Sequence, residues 1–225
     1  MTSRYYSEET QTLALPPPKP SYARISAADI GSNPASVLPL YAIVTQPYAR
    51  SLRSLILANR RLDKSLALPQ DVGIENLFPS LEELSLHNCN LTDRVAVSRC
   101  KLNDDPETLP RSQNDLLTLI IKMFPNLQIL NLSDNALRSS FTEGVLRHLV
   151  FATDGRRGLK HLRLRGNQLQ DLNGFQAIAS SFNVSKATAA SWTLEELDVG
   201  YNNIGELPYE LGVFPLNVLS VEGNV

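Results

Sequence analysis

Apolar residues recur along this chain in a fixed frame. From Leu127 to Leu137, LQILNLSDNAL, they fall at Leu127, Leu130, Leu132 and Leu137, with Asn135 in the ninth place. Leu130, Asn131 and Leu132 alternate with period two, the pattern of a short strand whose every second side chain is buried. The asparagine follows where the chain must turn sharply. Its amide both donates and accepts, so a buried copy satisfies backbone groups that the turn would orphan. The frame returns at Leu52, Leu55, Leu57 and Leu62, with Arg60 in the ninth place and Asn59 one place early. It returns again at Leu81, Leu84, Leu86 and Leu91 with Cys89, and at Leu159, Leu162, Leu164 and Leu169 with Asn167. The last copies are Leu194, Leu197, Val199 and Ile204 with Asn202, then Leu216, Leu219 and Val221 with Asn224. Successive copies start 29, 46, 32, 35 and 22 residues apart.

The connections predict what lies behind the strands. Between Leu62 and Leu81, Pro69, Pro79 and the segment Ile74-Leu77-Phe78 suggest a brief helix or turn. Residues 92–112, with Asp104, Asp105, Pro106, Glu107 and Pro110, read as an inserted polar loop, either disordered or functional. Leu116, Leu117, Ile120, Ile121 and Phe124 have helical spacing, with Ser112 to Asn114 as candidate caps. Phe141, Val145, Leu146, Leu149 and Val150 predict a second amphipathic helix, and Leu172, Phe175, Ile178, Ala179 and Phe182 a third. Trp192 is expected beneath the strand that follows it, and the final connection, IGELPYELGVFP, is short enough for a tight turn only. Ahead of the repeats, residues 1–36 carry Pro16, Pro17, Pro18 and Pro20 and little to bury. They read as a poorly ordered tail, or as a proline-rich ligand for another protein's aromatic groove. Residues 37–51 are more apolar and are expected to cap the open end of the first repeat, so that the repeat domain runs from 52 to 225. The last repeat is incomplete. Its apolar eleventh position is missing after Asn224, and this reads as a fragment or as an end covered by another chain.

Composition narrows the classes. A formal charge of −2 gives no reason to expect nucleic acid or an acidic membrane as partner. No run approaches the roughly 18 apolar residues of a membrane span, and the first residues lack the apolar stretch of a secretory signal. The two cysteines, Cys89 and Cys100, are too few for extracellular disulfide caps, so the sequons at Asn90, Asn131 and Asn183 are read as coincidental. The expected compartment is cytoplasmic or nuclear. Enzymatic constellations fail: there is no phosphate loop with its lysine, no G-x-S-x-G and no H-E-x-x-H. His87 and Cys89 are close in sequence but should point apart, the thiol inward and the imidazole outward. No cofactor or metal is expected.

The candidate chemistry therefore lies on the strand residues that alternate with the core. These are Arg53, Ser54, Ile56 and Ala58, then Glu82, Glu83, Ser85 and His87, then Gln128, Ile129, Asn131 and Ser133. The fourth strand offers Lys160, His161, Arg163 and Arg165, the fifth Glu195, Glu196, Asp198 and Tyr201, and the sixth Asn217, Val218, Ser220 and Glu222. In register, Lys160 faces Glu195, His161 faces Glu196 and Arg163 faces Asp198. Such a ladder of exposed pairs contributes only about 0–1 kcal/mol each and cancels its own far field, though a partner could read it as a specificity mark. Glu82 and Glu83 are expected to lack a basic neighbour. Tyr201 is the aromatic nearest to a binding anchor. The candidate partner-binding set is Glu82, Glu83, His87, Gln128, Asn131, Arg163, Arg165, Asp198 and Tyr201.

Residues 52–225 resemble the leucine-rich repeat family on these six copies. The last two copies resemble the C-terminal repeats of intracellular proteins similar to leucine-rich-repeat-containing protein 40, although Gly223-Asn224 is followed here by Val225 alone. The longer helical repeats also look like those of the tubulin-folding cofactor E group, without its glycine-rich cytoskeleton-binding domain. The resemblance implies an α/β solenoid of about six repeats, with a curved parallel sheet on the concave side and helices and turns on the convex side. It implies protein binding through the concave face and names no partner. The expectation is a non-catalytic scaffold that binds a protein and no nucleic acid, membrane or small molecule. The alternative is a regulatory subunit of an enzyme such as a phosphatase, a small GTPase or a ubiquitin ligase.

Overall fold

The computed structural model describes residues 5–16, 37–38, 40–60, 65–70, 73–75, 77–101, 109–138, 141–153, 155–184 and 191–225. The chain opens with a hairpin, β1 (Tyr6–Ser7) and β2 (Thr12–Ala14), followed by β3 (Val37–Leu38) and the short helix α1 (Leu40–Val44). The first repeat strand is β4 (Ser54–Ile56), and β5 (Ser65–Pro69) lies in the connection after it. The second repeat strand, β6 (Glu83–Ser85), leads into β7 (Arg94–Cys100), β8 (Arg111–Asp115) and helix α2 (Leu116–Met123). Repeat strands β9 (Ile129–Asn131) and β10 (His161–Arg163) flank helix α3 (Glu143–Val150). Helix α4 (Asn173–Val184) then precedes β11 (Glu196–Asp198), and a 3-10 helix, Tyr209–Val213, precedes β12 (Val218–Ser220).

Among the described residues the strands form two sheets. The larger has eight strands in the order β1-β2-β4-β6-β9-β10-β11-β12, and the smaller has four in the order β3-β5-β7-β8. All pairings in the large sheet are parallel except the β1–β2 hairpin. One register runs through it. The fourth-place residues Leu55, Leu84, Leu130, Leu162, Leu197 and Leu219 stand side by side, and Leu13 of β2 joins the same row. Up to the fifth copy this row and the first- and sixth-place residues face a single core, which also contains Leu66 and Leu68 of β5, Val95 and Val97 of β7, and the inner faces of α2 to α4; in the last copy Leu216 and Val221 are half-buried against it and Leu219 is exposed. The opposite face of the large sheet carries the alternate side chains.

The turn after each strand begins the same way in every copy. The eighth-place residue is left-handed throughout: Asn59, Asn88, Asp134, Gly166, Tyr201 and Gly223 have φ between 52° and 72°. Five of these six are glycine, asparagine or aspartate, the types that enter this region at least cost. The ninth-place asparagine then fastens the turn to the preceding copy. Asn135 accepts from the N–H groups of Cys89 and Leu91 at 3.0 and 2.9 Å, and donates to the carbonyls of Leu86 and Leu132 at 2.9 Å. Asn167 and Asn202 repeat the arrangement one and two copies on. Where cysteine replaces asparagine, the Cys89 thiol donates to the Leu57 carbonyl at 3.2 Å. Burial raises that thiol's pKa, against the opposing pull of the Arg60 backbone N–H. In the first copy Arg60 reaches the other way and donates to the Pro16 carbonyl at 2.8 Å, tying the turn to the segment that follows the hairpin.

Four expectations are corrected. Over residues 5–14 the tail is a hairpin docked on the first repeat, with Leu13 buried; residues 17–36 lie outside those described. Its apolar content is small, but Leu13 falls in the leucine register and an existing edge strand supplies the backbone partners. The inserted loop is also largely sheet: β7 pairs with β5 on one side and β8 on the other, and only its residues 102–108 fall outside those described. RVAVSRC is buried at four consecutive positions, 95–98, as a strand covered on both faces must be. The side opposite the open face therefore carries strands, β3, β5, β7 and β8, behind the early repeats, where helices and turns alone are expected. Further on the helices are found, with α2 capped by Asp115 rather than by residues 112–114. Trp192 donates from its indole to the Leu194 carbonyl at 2.7 Å and stacks on Phe214 with centroids 4.3 Å apart.

Candidate functional site

The open face is a grid of side chains fixed by bonds between neighbouring strands. At one end, Glu82 lies 4.0 Å from Arg53 and 3.0 Å from Arg157, which reaches over from the turn before β10. Glu82 is therefore neutralised, contrary to expectation. Glu83 instead accepts from the Ser54 hydroxyl at 2.7 Å, and no cation lies within 4.0 Å of it among the described residues. His87 stands 3.3 Å from Asp134 on the outward side, whereas Cys89 is fully buried, so the two point apart.

The ladder between β10 and β11 is present with one displacement. Lys160 meets Glu195 at 3.7 Å and His161 meets Glu196 at 3.7 Å. Arg163, however, bonds Glu196 through two nitrogens, at 2.8 and 3.3 Å, and leaves Asp198. These bonds hold the Glu196 carboxyl below the usual carboxylate range and the guanidinium above its own. Asp198 is occupied locally, accepting from the Gly200 N–H at 3.1 Å, and Asn131 in the same place of its own copy accepts from the Ser133 N–H at 3.0 Å. Both close a small turn through the side chain, the usual reason for these residue types at a strand end.

At the far end, Arg165 pairs with Glu222 and lies over the Tyr201 ring, 4.2 Å from its centroid. A side chain at Gly200 would stand 3.2 Å from Arg165 Nη1, so the glycine leaves the guanidinium its path. Tyr201 is 54% exposed although its backbone is left-handed, a conformation costly for an aromatic residue. Gln128 and Ile129 occupy the middle of the face. Near the starts of the strands the face sinks into a groove of about 310 Å³ lined by β4, β6, β9 and β10, with Thr10 and Thr12 of the hairpin as one wall. Sequence reasoning missed the two threonines and Arg157. Only the leucine register at Leu13 could have placed the threonines, and nothing in the repeat frame points to Arg157.

No helix among the described residues is long and apolar enough to cross a membrane. No curated protein matches the chain. Two family models do match: one described as Leucine Rich Repeat covers residues 80–111, and a second, Leucine Rich repeat, covers 191–206. Domains of such repeats are in general protein-interaction modules. The first match holds Cys89 and its turn and the second holds Asn202 and its turn, so both fall on the frame that builds the parallel sheet, and together they support a leucine-rich repeat family for this chain.

Proposed function

We propose that the chain is a non-catalytic interaction module, a solenoid of six leucine-rich repeats that binds a protein partner across the open face of its sheet. The observation that carries this reading is the state of that face. No described residue lies across its charged side chains, which are half-buried or exposed, yet Glu82, Arg163, Glu196, Arg165 and Glu222 are already held by neighbours, so little side-chain freedom is lost when a partner docks. Glu82, Glu83, His87, Gln128, Asn131, Arg163, Arg165, Asp198 and Tyr201 form the proposed contact set. Within it Asn131 and Asp198 shape the strand ends, and Tyr201 on Arg165 supplies the aromatic and guanidinium pair favoured at interface centres. Intracellular scaffolding is the role proposed for it.

The test is differential capture from cell extract, quantified by mass spectrometry, with the wild type, a Gln128→Lys/Tyr201→Ala variant and an Arg147→Glu variant on α3 as the opposite-face control. A partner lost with the first variant and kept with the second supports the reading. Partners retained by the first and lost by the second move recognition to the helical side and sink it.

A further inference from the structure

Among the described residues the two sheets end on β1, β12, β3 and β8. β1 and β3 have two residues each and β12 has three, whereas β8 has five. β7 occupies one side of β8, and no described strand occupies the other. The direction of its backbone groups follows from the bond that continues the ladder. The Leu116 N–H donates to the Asp93 carbonyl at 2.9 Å, in the register that sets Asn114 against Val95 and Ser112 against Val97. Successive residues of an antiparallel strand turn their backbone groups to opposite sides, so those of Arg111, Gln113 and Asp115 point away from β7. The side chains of these three are exposed and share one face of the strand. Arg111 and Asp115 have no ion-pair partner within 4.0 Å among the described residues. One Asp115 oxygen accepts from the Thr118 N–H at 2.8 Å, which leaves the other open.

We infer that a second copy of this chain pairs with this edge, β8 against β8, antiparallel about a two-fold axis at Gln113. In that register the strand complements itself, because each Arg111 stands opposite the Asp115 of the other copy. The ladder fits as well. The residues brought opposite one another, Gln113 with Gln113 and Arg111 with Asp115, are those whose backbone groups face outward. A parallel pairing in register would set arginine against arginine and aspartate against aspartate. An edge carrying charge of one sign repels a second copy, whereas here the two ends carry opposite signs and the two-fold axis exchanges them. The small sheet lies on the side opposite the open face, so this pairing leaves the proposed contact set free. With one polar strand from each copy, the contact falls below the roughly 1,000 Å² of a stable interface. The dimer is therefore weak and reversible, with a dissociation constant on the order of 100 µM.

The test is sedimentation equilibrium of the full chain at low salt, from about 10 µM to about 1 mM, a range that brackets this affinity. A monomer–dimer equilibrium is expected. Gln113→Pro removes the outward N–H at the axis and keeps the bonds to β7, and it should weaken the dimer by about tenfold or more. Arg111→Glu sets like charges opposite each other at both ends and should weaken it by about tenfold, whereas Arg111→Lys should leave it within about threefold. Val218→Lys on the β12 edge should change nothing. A monomer over the whole range, a dimer indifferent to Gln113→Pro or to Arg111→Glu, or a dimer lost with Val218→Lys overturns the inference. The capture experiment alters Gln128, Tyr201 and Arg147, none of which lies on β8, so failure of the edge and failure of the face are read separately.

Discussion

A single asparagine sets the cost of the turn in four of the six copies. Asn135 satisfies two buried N–H groups, those of Cys89 and Leu91, while Asn224 satisfies only that of Ile204, in a half-buried setting. An orphaned buried donor costs about 1–3 kcal/mol. Asn135→Ala is therefore expected to destabilise by about 2–6 kcal/mol and Asn224→Ala by about 1 kcal/mol, measured as urea unfolding midpoints. Equal costs would mean that the amide acts through turn propensity rather than through the donors it caps. At this scale the sequence was highly legible, because the pairing of amide chemistry with a fixed place in the frame leaves few alternatives. What stayed hidden was the partner each charge selects. Arg163 bonds Glu196 through two nitrogens while Asp198 accepts from the Gly200 N–H of its own turn, a choice that register alone does not reveal.

At the scale of elements, legibility followed how much of the pattern was local. Helices α2, α3 and α4 carry their own amphipathic spacing and lie where it predicts them. The strands β2 and β8 do not. RSQND has no apolar alternation and is a strand because β7 offers it five paired positions. The hairpin exists because β4 leaves an edge and Leu13 continues the leucine row. Leu13→Ala should therefore cost about 2–5 kcal/mol of global stability, as for a leucine in a shared core. A change below about 1 kcal/mol in the same urea measurement would show that the hairpin is an appendage. The groove depends on this element, since Thr10 and Thr12 form its wall; with the first residues read as a tail, the site had only three sides in the sequence.

For the whole molecule, the charges of the open face are mostly satisfied within it, and this fixes how stability answers to acid. Its bond to Arg163 depresses the pKa of Glu196 in the folded state. The stability this contributes is complete above the ordinary carboxylate value of about 4.3, and is lost as pH falls through the lower folded value. With both partners partly exposed the effect is small. Glu196→Gln should cost about 0–1 kcal/mol at pH 7, and that difference should shrink as pH falls below the ordinary carboxylate range. A difference that persists in acid would assign Glu196 a packing role.

The second sheet has a consequence for how such a chain can be rearranged. Behind β9 to β12 each connection packs on its immediate neighbours, α3 on α4 and α4 on the 3-10 helix, so one unit there can be duplicated or excised with a seam at either side only. Ahead of β9 the connections are stitched together by β3, β5, β7 and β8, in which the segment before the first repeat pairs with the connection after it, and that connection with the next. Deleting any one of these units breaks the ladder of the others. Duplication or excision of a single unit should thus be tolerated in the C-terminal half and not in the N-terminal half.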